Sequence, residues 1–134
     1  MRYLLDTNIC IYLIKQKPIR VKEKFSAYSV GEIGVSSITV GELWYGVAKS
    51  ERRETNEQAL EQFLLPLVVS EFDEGAAEVY GEIRAALEKE GRPIGAMDML
   101  IAAHAVSMGV VLVTNNEREF SRVPELMVEN WASG

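Results

Sequence analysis

The segment from Ile94 to Asn116 constrains the fold most strongly, because it has the pattern of a buried helix followed at once by a buried strand. Small and apolar residues cover nearly the whole helix surface after Asp98, which indicates a helix packed on most sides. Gly109 is suited to end this helix with a positive φ. The apolar run 110–113 is typical of a central parallel strand, so the sequence predicts an α/β fold.

Polar residues follow this predicted strand at the point where it ends. They are Thr114, Asn115 and Asn116. In an open α/β sheet, residues just past the carboxyl ends of the strands line the functional crevice. We therefore expect a polar site at this edge of the sheet, with Asp98 near it at the start of its helix.

A second acid stands at the end of the first predicted strand, which covers residues 2–5 and is followed by Asp6. Thr7 or Asn8 is expected to cap the helix that starts there. If this strand is the neighbour of strand 110–113, Asp6 and Asp98 face the same crevice.

Glu42 has two interpretations that the sequence leaves open. Thr39 is the expected N-cap of its helix, and Glu42 stands three residues later in capping-box register. The alternative is a Glu on the first turn of a largely buried helix, facing the strand ends. Gly41 and Gly46 cost helix propensity, which suggests close packing of the backbone there.

The alternation of strands and helices predicts one three-layer α/β domain over residues 1–134, with a mainly parallel sheet. Residues 50–56 are expected to form a charged link. The remaining predicted helices cover 9–14, 19–28, 57–65, 73–90 and a turn around 119–120, and the remaining predicted strands lie within 30–36, 67–72 and 126–128.

The composition excludes several classes of protein. A net charge of −6 argues against a globally basic surface for nucleic acid. No stretch approaches the roughly twenty apolar residues of a membrane span, so we expect a cytoplasmic protein without a membrane contact. Cys10 is expected in the core, and His104, the one histidine, is expected to be a packed or partly exposed neutral imidazole rather than a zinc ligand.

Two local basic clusters stand out against the acidic average. The first runs from Lys15 to Lys24, and the second is formed by Lys49, Arg52 and Arg53. On their own, such clusters are ordinary solvated helix faces more often than binding sites.

The three acids Asp6, Glu42 and Asp98 predict a metal site if they converge. Several unpaired carboxylates in an apolar-walled pocket repel one another, and burying them costs several kcal/mol each. A hard divalent cation removes that cost. Oxygen ligands without His or Cys select Mg²⁺ or Mn²⁺ over zinc.

Four segments follow one another along the chain: LLDTN, VGELWYG, AMDMLIAAHA and LVTNNEREF. In this order they resemble the PIN-domain ribonucleases, and more narrowly the VapC toxins of type II toxin–antitoxin modules. The resemblance implies a compact α/β/α fold with a five-stranded parallel sheet, and a homodimer. It also implies a metal-dependent endoribonuclease that cuts structured RNA, often a transfer RNA, and so inhibits translation. The anticodon loop of an initiator tRNA is one candidate.

A cognate VapB-type antitoxin is implied as well. Its C-terminal segment would cover the site, and promoter DNA would be bound only through it. The aromatic residues Phe25, Tyr28, Trp44 and Tyr45, together with the apolar faces of the early helices, exceed what a small core obviously needs, so part of this surface is a candidate for the antitoxin groove. The alternative is that they belong to the core.

The resemblance places the invariant acids of the family on Asp6, Glu42 and Asp98, as catalytic residues and metal ligands. The hydroxyl of Thr114 matches a small polar residue beside the metal. Asn116 stands where many members have a fourth acid, so a second metal would need Glu119 or the substrate phosphate. The residues expected to hold the RNA backbone are Lys15, Lys17, Arg20, Lys49, Arg52 and Arg53.

Two rival functions remain. An aspartate phosphatase would use Asp6 as its nucleophile, but it typically needs a second Asp two residues on, where this chain has Asn8. A non-catalytic module would bind RNA or a protein with structural acids. Retention of all three acids disfavours that alternative.

Overall fold

A computed structural model of the protein describes residues 1–133. Its strands are β1 (Tyr3–Leu5), β2 (Ile33–Ser36), β3 (Val68–Ser70), β4 (Val111–Val113) and β5 (Val128–Glu129). Its helices are α1 (Thr7–Lys15), α2 (Ile19–Ser26), α3 (Ser37–Ala48), α4 (Arg53–Leu64), α5 (Glu74–Lys89), α6 (Ala96–Met108) and α7 (Glu117–Phe120).

The five strands form one parallel sheet in the order β3-β2-β1-β4-β5. Strand β1 lies at the centre, with Leu5 opposite Val35 on one side and Val113 on the other. This order confirms the α/β fold with a five-stranded parallel sheet. It also brings together the two strand ends that carry Asp6 and Thr114, because β1 and β4 are neighbours.

Helices cover both faces of the sheet. Tyr3 and Leu5 belong to the hydrophobic cluster that packs against α1 to α4, whereas Leu4 and Leu112 belong to the cluster of α5 and α6. Successive residues of a strand point to opposite faces, so the central strands are buried on both sides and appear as unbroken apolar runs. Helix α6 is buried on most sides, as predicted.

Several helix boundaries confirm the sequence analysis. Asp73 caps α5 by accepting a hydrogen bond from the Ala76 amide at 3.0 Å. Gly109 ends α6 in the left-handed conformation, with φ of 65°.

Cys10 is buried, and His104 is only 1 % exposed, so both are packed in the core.

Other predicted boundaries are wrong. Asp6 itself caps α1, since its Oδ1 accepts from the Ile9 amide at 2.8 Å, and neither Thr7 nor Asn8 is the cap. Ser36 caps α3 in place of Thr39, because the chain enters this helix directly from β2. The capping box with Glu42 is therefore absent.

The expected link at 50–56 is shorter than predicted, because α4 already begins at Arg53. The close packing expected at Gly41 and Gly46 is also wrong, since a Cβ at either position would meet no atom within 4 Å. Among residues 1–133 no helix is both long and apolar enough to cross a membrane.

Candidate active site

Four carboxylates gather at the carboxyl edge of the sheet. Asp6 follows β1, Glu42 lies on α3, Asp98 lies in the first turn of α6, and Glu119 lies on α7. The charge of Glu42 raises the pKa of Asp6, and the charges of Asp6 and Glu42 contribute to raising that of Asp98. The three acids singled out in the sequence therefore act on one another electrostatically.

Asp6 is the most buried of these acids, with 4 % of its surface exposed. Burial is the main reason that its pKa rises from 3.8 to about 6. Hydrogen bonds from the Thr114 hydroxyl and the Ile9 amide oppose this shift by stabilising the ionised form. Thr114 itself is fully buried beside this acid.

Asp98 and Glu119 form a carboxyl–carboxylate pair. Burial, followed by the hydrogen bond with Glu119 and the charge of that residue, raises the pKa of Asp98 to about 7. For Glu119, burial acts in the same direction, but hydrogen bonds from Asp98, Gly95 and Asn116 outweigh it and lower the pKa. The proton of the pair therefore resides on Asp98, whose carboxyl group donates a hydrogen bond to the Glu119 carboxylate.

Glu42 is held by a neighbouring helix. The Thr7 hydroxyl donates to its Oε1 at 2.6 Å and lies 3.3 Å from the hydroxyl of the buried Thr39. Thr7 and Thr39, which the sequence suggested as caps, instead belong to the surroundings of a site carboxylate. The signal in the sequence was a Thr directly after Asp6, at the start of a helix that faces α3.

Asn116 occupies the N-cap position of α7, but its side chain makes no capping hydrogen bond. Its Nδ2 donates to Glu119 Oε2 at 2.9 Å, and its amide donates to Thr114 Oγ1 at 2.9 Å. Its side chain therefore does not cap this helix. The residue instead orients the fourth carboxylate.

Asn115 also lies at this edge. Its Nδ2 donates to the Tyr12 hydroxyl at 2.6 Å, while its Oδ1 is buried and accepts no hydrogen bond from the described residues. A buried amide oxygen without a donor is costly unless water or a cation meets it.

The donor set fits a hard divalent cation. All candidate ligands are carboxylate, hydroxyl or amide oxygens. The pKa values of Asp6 and Asp98 are raised because their ionised forms are unfavourable here, and a cation that neutralises their charge would stabilise the cluster. Among residues 1–133, no three His, Cys, Asp or Glu side chains are already arranged to enclose an ion. Mg²⁺ usually keeps several waters and takes few protein ligands.

The six basic residues proposed for RNA contact are all exposed and lie on two separate surfaces. One lies at α1 and α2, the other at the junction of α3 and α4, where Lys49 Nζ stands 4.8 Å from the centre of the Tyr45 ring. The residues are Lys15, Lys17, Arg20, Lys49, Arg52 and Arg53. No ion pair within the described part of the chain joins any of them to the site acids.

An apolar cavity of about 280 Å³ lies between α1, α3 and α4. Glu42 and Lys15 stand at its polar margin. None of the four aromatics considered for the antitoxin groove lines it: Tyr45 is 66 % exposed, and the other three pack partly into the core. Its lining residues include Ile11, Ile14, Leu43, Gly46, Ala59 and Leu60.

A five-stranded parallel sheet with acids at its carboxyl edge defines the class of protein. Residues 3–126 match the PIN domain family. A tRNA(fMet)-specific endonuclease VapC of Shigella flexneri is 46% identical over 132 residues, covering 98% of this chain and 99% of the relative. The Haemophilus influenzae ribonuclease VapC2 is 47% identical over 131 residues, covering 98% of each chain.

The fold agrees with solved structures of the same class. The toxin–antitoxin complex VapBC of Salmonella typhimurium, crystallised bound to DNA, contains a chain that is 44% identical, with a TM-score of 0.93 and 98% of each chain covered. A chain of VapBC2 from Rickettsia felis, bound to a promoter DNA fragment, has a TM-score of 0.92 at 42% identity, covering 98% of this chain and 99% of that one. The protein belongs to the VapC ribonucleases of the PIN family, which are nucleases of the hydrolase class and are generally dependent on a divalent metal ion.

Proposed function

We propose that this protein is the toxin of a VapBC-type module and hydrolyses one phosphodiester bond in a transfer RNA, with Mg²⁺ or Mn²⁺ as cofactor. The observation that carries the proposal is the clustering of Asp6, Glu42, Asp98 and Glu119 at one edge, where two of the acids have raised pKa values. Carboxylates are kept together at such a cost when a cation neutralises them.

Each acid has a distinct task. Asp6, between β1 and α1, and Asp98, in the first turn of α6, would bind the cation directly or through water. Glu42, oriented by Thr7, would complete the set from α3. When bound, the cation supplies an activated water and neutralises charge on the phosphate.

Binding of the cation requires that Asp98 give up the proton that it shares with Glu119, because a carboxylic acid is a poor ligand. Glu119 remains oriented by the Gly95 amide and Asn116 Nδ2, at 3.0 and 2.9 Å. Glu119 would therefore be the auxiliary ligand, and the hydrogen bond with Thr114 favours the ionised form of Asp6.

The attacking group is water, since the described residues offer no suitable side-chain nucleophile here. Burial raises the pKa of the Cys10 thiol well above its usual value, so it is not a thiolate. A phosphatase mechanism through Asp6 lacks an acid at position 8, which is the exposed Asn8.

The substrate proposal rests on the Shigella flexneri relative, whose name specifies tRNA(fMet). At 46% identity over nearly the whole chain, an initiator tRNA cleaved in its anticodon loop is the first substrate to test. The exposed basic residues of α1, α2 and the α3–α4 junction would contact the RNA backbone.

The partner proposal follows from the VapBC complexes. We expect the antitoxin to insert apolar side chains into the cavity between α1, α3 and α4, beside Glu42. A basic antitoxin side chain would offset the charge of the carboxylates, and promoter DNA would be bound only through the antitoxin.

We also propose that the chain is a single domain and acts as a homodimer. Exposed apolar side chains at the edge strand β3, namely Leu65, Val68 and Val69, offer a surface for a second copy. Light scattering coupled to size exclusion tests this, and a monomer at high concentration would contradict it.

The decisive experiment incubates the purified, antitoxin-free protein with total cellular RNA, with Mg²⁺ or with a chelator, and maps new RNA ends. We expect discrete ends in one tRNA only with the metal. Asp6→Asn, Glu42→Gln and Asp98→Asn should each abolish them, whereas Glu90→Gln, an exposed acid at the end of α5, should not. Near-parental cleavage by any of the three site variants would contradict the assignment.

A further inference from the structure

A polar cavity of about 520 Å³ opens between the loop that joins α5 to α6 and helix α7. Three arginines converge on it, and none of its lining residues is acidic. The lining consists of Gly91, Arg92, Pro93, Arg118, Ser121 and Arg122.

The three guanidinium groups form no ion pair within the part of the chain that the structure describes, where the ion pairs are Arg2–Glu32 and Arg84–Glu88. Arg122 acts on Glu119 only through its charge, which helps to lower the pKa of that acid. Converging like charges repel unless an anion joins them. In a chain with 20 acidic and 14 basic residues, a purely basic cavity is unusual. Arginine also presents a planar set of donors that matches phosphate oxygens.

The basic cavity adjoins the carboxylate cluster through shared elements. Arg122 Nη1 donates to the Pro93 carbonyl at 3.2 Å, and two residues later the Gly95 amide donates to Glu119 Oε1 at 3.0 Å. Arg118 and Glu119 are neighbours on α7. An anion in this cavity would therefore lie close to a phosphate held at Asp98.

The basic cavity and the basic surface of α1 and α2 lie on opposite sides of the acids. The hairpin of α1 and α2 covers one face of the sheet, whereas α5, α6 and Phe120 of α7 pack on the other. A nucleic acid strand with its reacting phosphate at the sheet edge extends in both directions. One direction reaches the α1–α2 surface, and the other reaches the three arginines.

We propose that Arg92, Arg118 and Arg122 form a binding site for an RNA backbone phosphate that flanks the cleaved bond. This inference rests on the proposed nuclease function. Pro93 is the main apolar residue of the lining, so the cavity suits a phosphate better than a protein segment, which needs apolar contacts in the centre of its interface.

The test uses Arg92→Gln together with Arg118→Gln, because both side chains are exposed and their replacement should leave the fold intact. Arg122 is retained because it also holds the Pro93 carbonyl. The matched control, Arg84→Gln with Lys89→Gln, removes the same charge from the exposed side of α5. All proteins carry Asp98→Asn so that RNA is bound without being cut.

Binding to a fluorescent anticodon stem-loop RNA is measured by anisotropy over a range of salt concentrations. We expect the double variant to bind about 10-fold more weakly or worse, and the slope of log K against log salt to fall by about 0.7, the value for one lost phosphate contact. The control should match its parent in slope. Equal affinity and slope in the double variant and the control would overturn the proposal.

Two further arms separate the alternatives. If poly-L-glutamate binding depends on the two arginines but RNA binding does not, the cavity serves an acidic protein segment and the proposal is wrong. If the protein without Asp98→Asn cuts no RNA, yet RNA binding still depends on the arginines, the proposed function fails while the phosphate site stands.

Discussion

At Asp6, one side chain serves both the fold and the site. Its carboxylate caps α1 through the Ile9 amide, and it also stands in the carboxylate cluster, buried to 4 % exposure. The cap favours an ionised oxygen, whereas burial and Glu42 favour the protonated form. The balance of these effects determines how much the ionised Asp6 destabilises the metal-free protein.

Replacement of Asp6 by Asn should stabilise the metal-free protein in a pH-dependent manner. The folded state holds the Asp6 proton up to about pH 6 and the unfolded state only to 3.8, so the acid destabilises the fold increasingly as the pH rises between these values. Asn keeps a capping oxygen and carries no charge. Its advantage over the parent should grow from pH 4 to 6 and reach about 2–3 kcal/mol.

Urea denaturation in a chelator at several pH values measures this difference. Asp6→Ala serves as the control, because it removes the charge but also the cap, at a cost of about 1 kcal/mol. A parent that is as stable as Asp6→Asn at pH 7 would show that burial of the charge carries no penalty.

Asn116→Asp tests whether position 116 contacts the cation. The change removes the Nδ2 hydrogen bond to Glu119 and adds a like charge beside it, so the metal-free protein should melt at a lower temperature. If the residue is a ligand, half-maximal cleavage should need several-fold less Mg²⁺ and melting should rise more on adding metal. Titrations that superimpose on the parent's would leave the metal to the acids.

At the scale of the element, the sequence predicts helices better than their ends. Asp73 begins α5 and Gly109 ends α6 as expected, because the preferences of these residues for helix ends are local. Ser36 and Asp6 were missed as caps, since each helix follows a strand without a loop and the capping residue belongs to the strand end. The polar residues 53–56 resembled part of a charged link, yet they form the first turn of α4.

Gly34→Ala should test how closely β2 and β3 approach. A Cβ at Gly34 would contact Met1 Sδ and would stand 2.6 Å from the Val68 carbonyl oxygen, which belongs to the paired strand. Because that backbone oxygen cannot move away alone, we expect a loss of about 1–3 kcal/mol of stability.

The control for this prediction is Gly81→Ala in the middle of α5. A Cβ there would meet nothing within 4 Å, so the change should stabilise the protein by about 0.5–1 kcal/mol. Chemical denaturation of both variants measures the effects. A neutral Gly34→Ala would mean that β3 can shift away from β2 at little cost.

At the scale of the whole molecule, the sequence predicts which acids lie at the carboxyl edge of the sheet but not what surrounds them. Asp6, Glu42 and Asp98 follow from strand ends and motif order. The bond from Thr7 to Glu42 joins residues 35 apart, and the pairing of Asp98 with Glu119 depends on the packing of α7. Such contacts depend on strand order, which local patterns do not determine. The arginines around α7 were missed for the same reason.

The apolar cavity between α1, α3 and α4 can be filled by a single substitution. Gly46 lines it, and a side chain there would extend into open space without a clash at its Cβ. Gly46→Leu should therefore fill the cavity and weaken antitoxin binding by about 10-fold or more, equivalent to about 1.4 kcal/mol. RNA cleavage by the free toxin should be retained.

Titration of the nuclease activity with a VapB-type antitoxin measures this loss. Gly41→Leu is the matched control, because Gly41 lies on the same helix with the same open space but outside the cavity. Tyr45→Ala tests the aromatic alternative, since Tyr45 is 66 % exposed. If Gly46→Leu is neutralised as readily as the parent while Tyr45→Ala escapes, the antitoxin binds the exposed aromatic face of α3 and leaves the aliphatic cavity open.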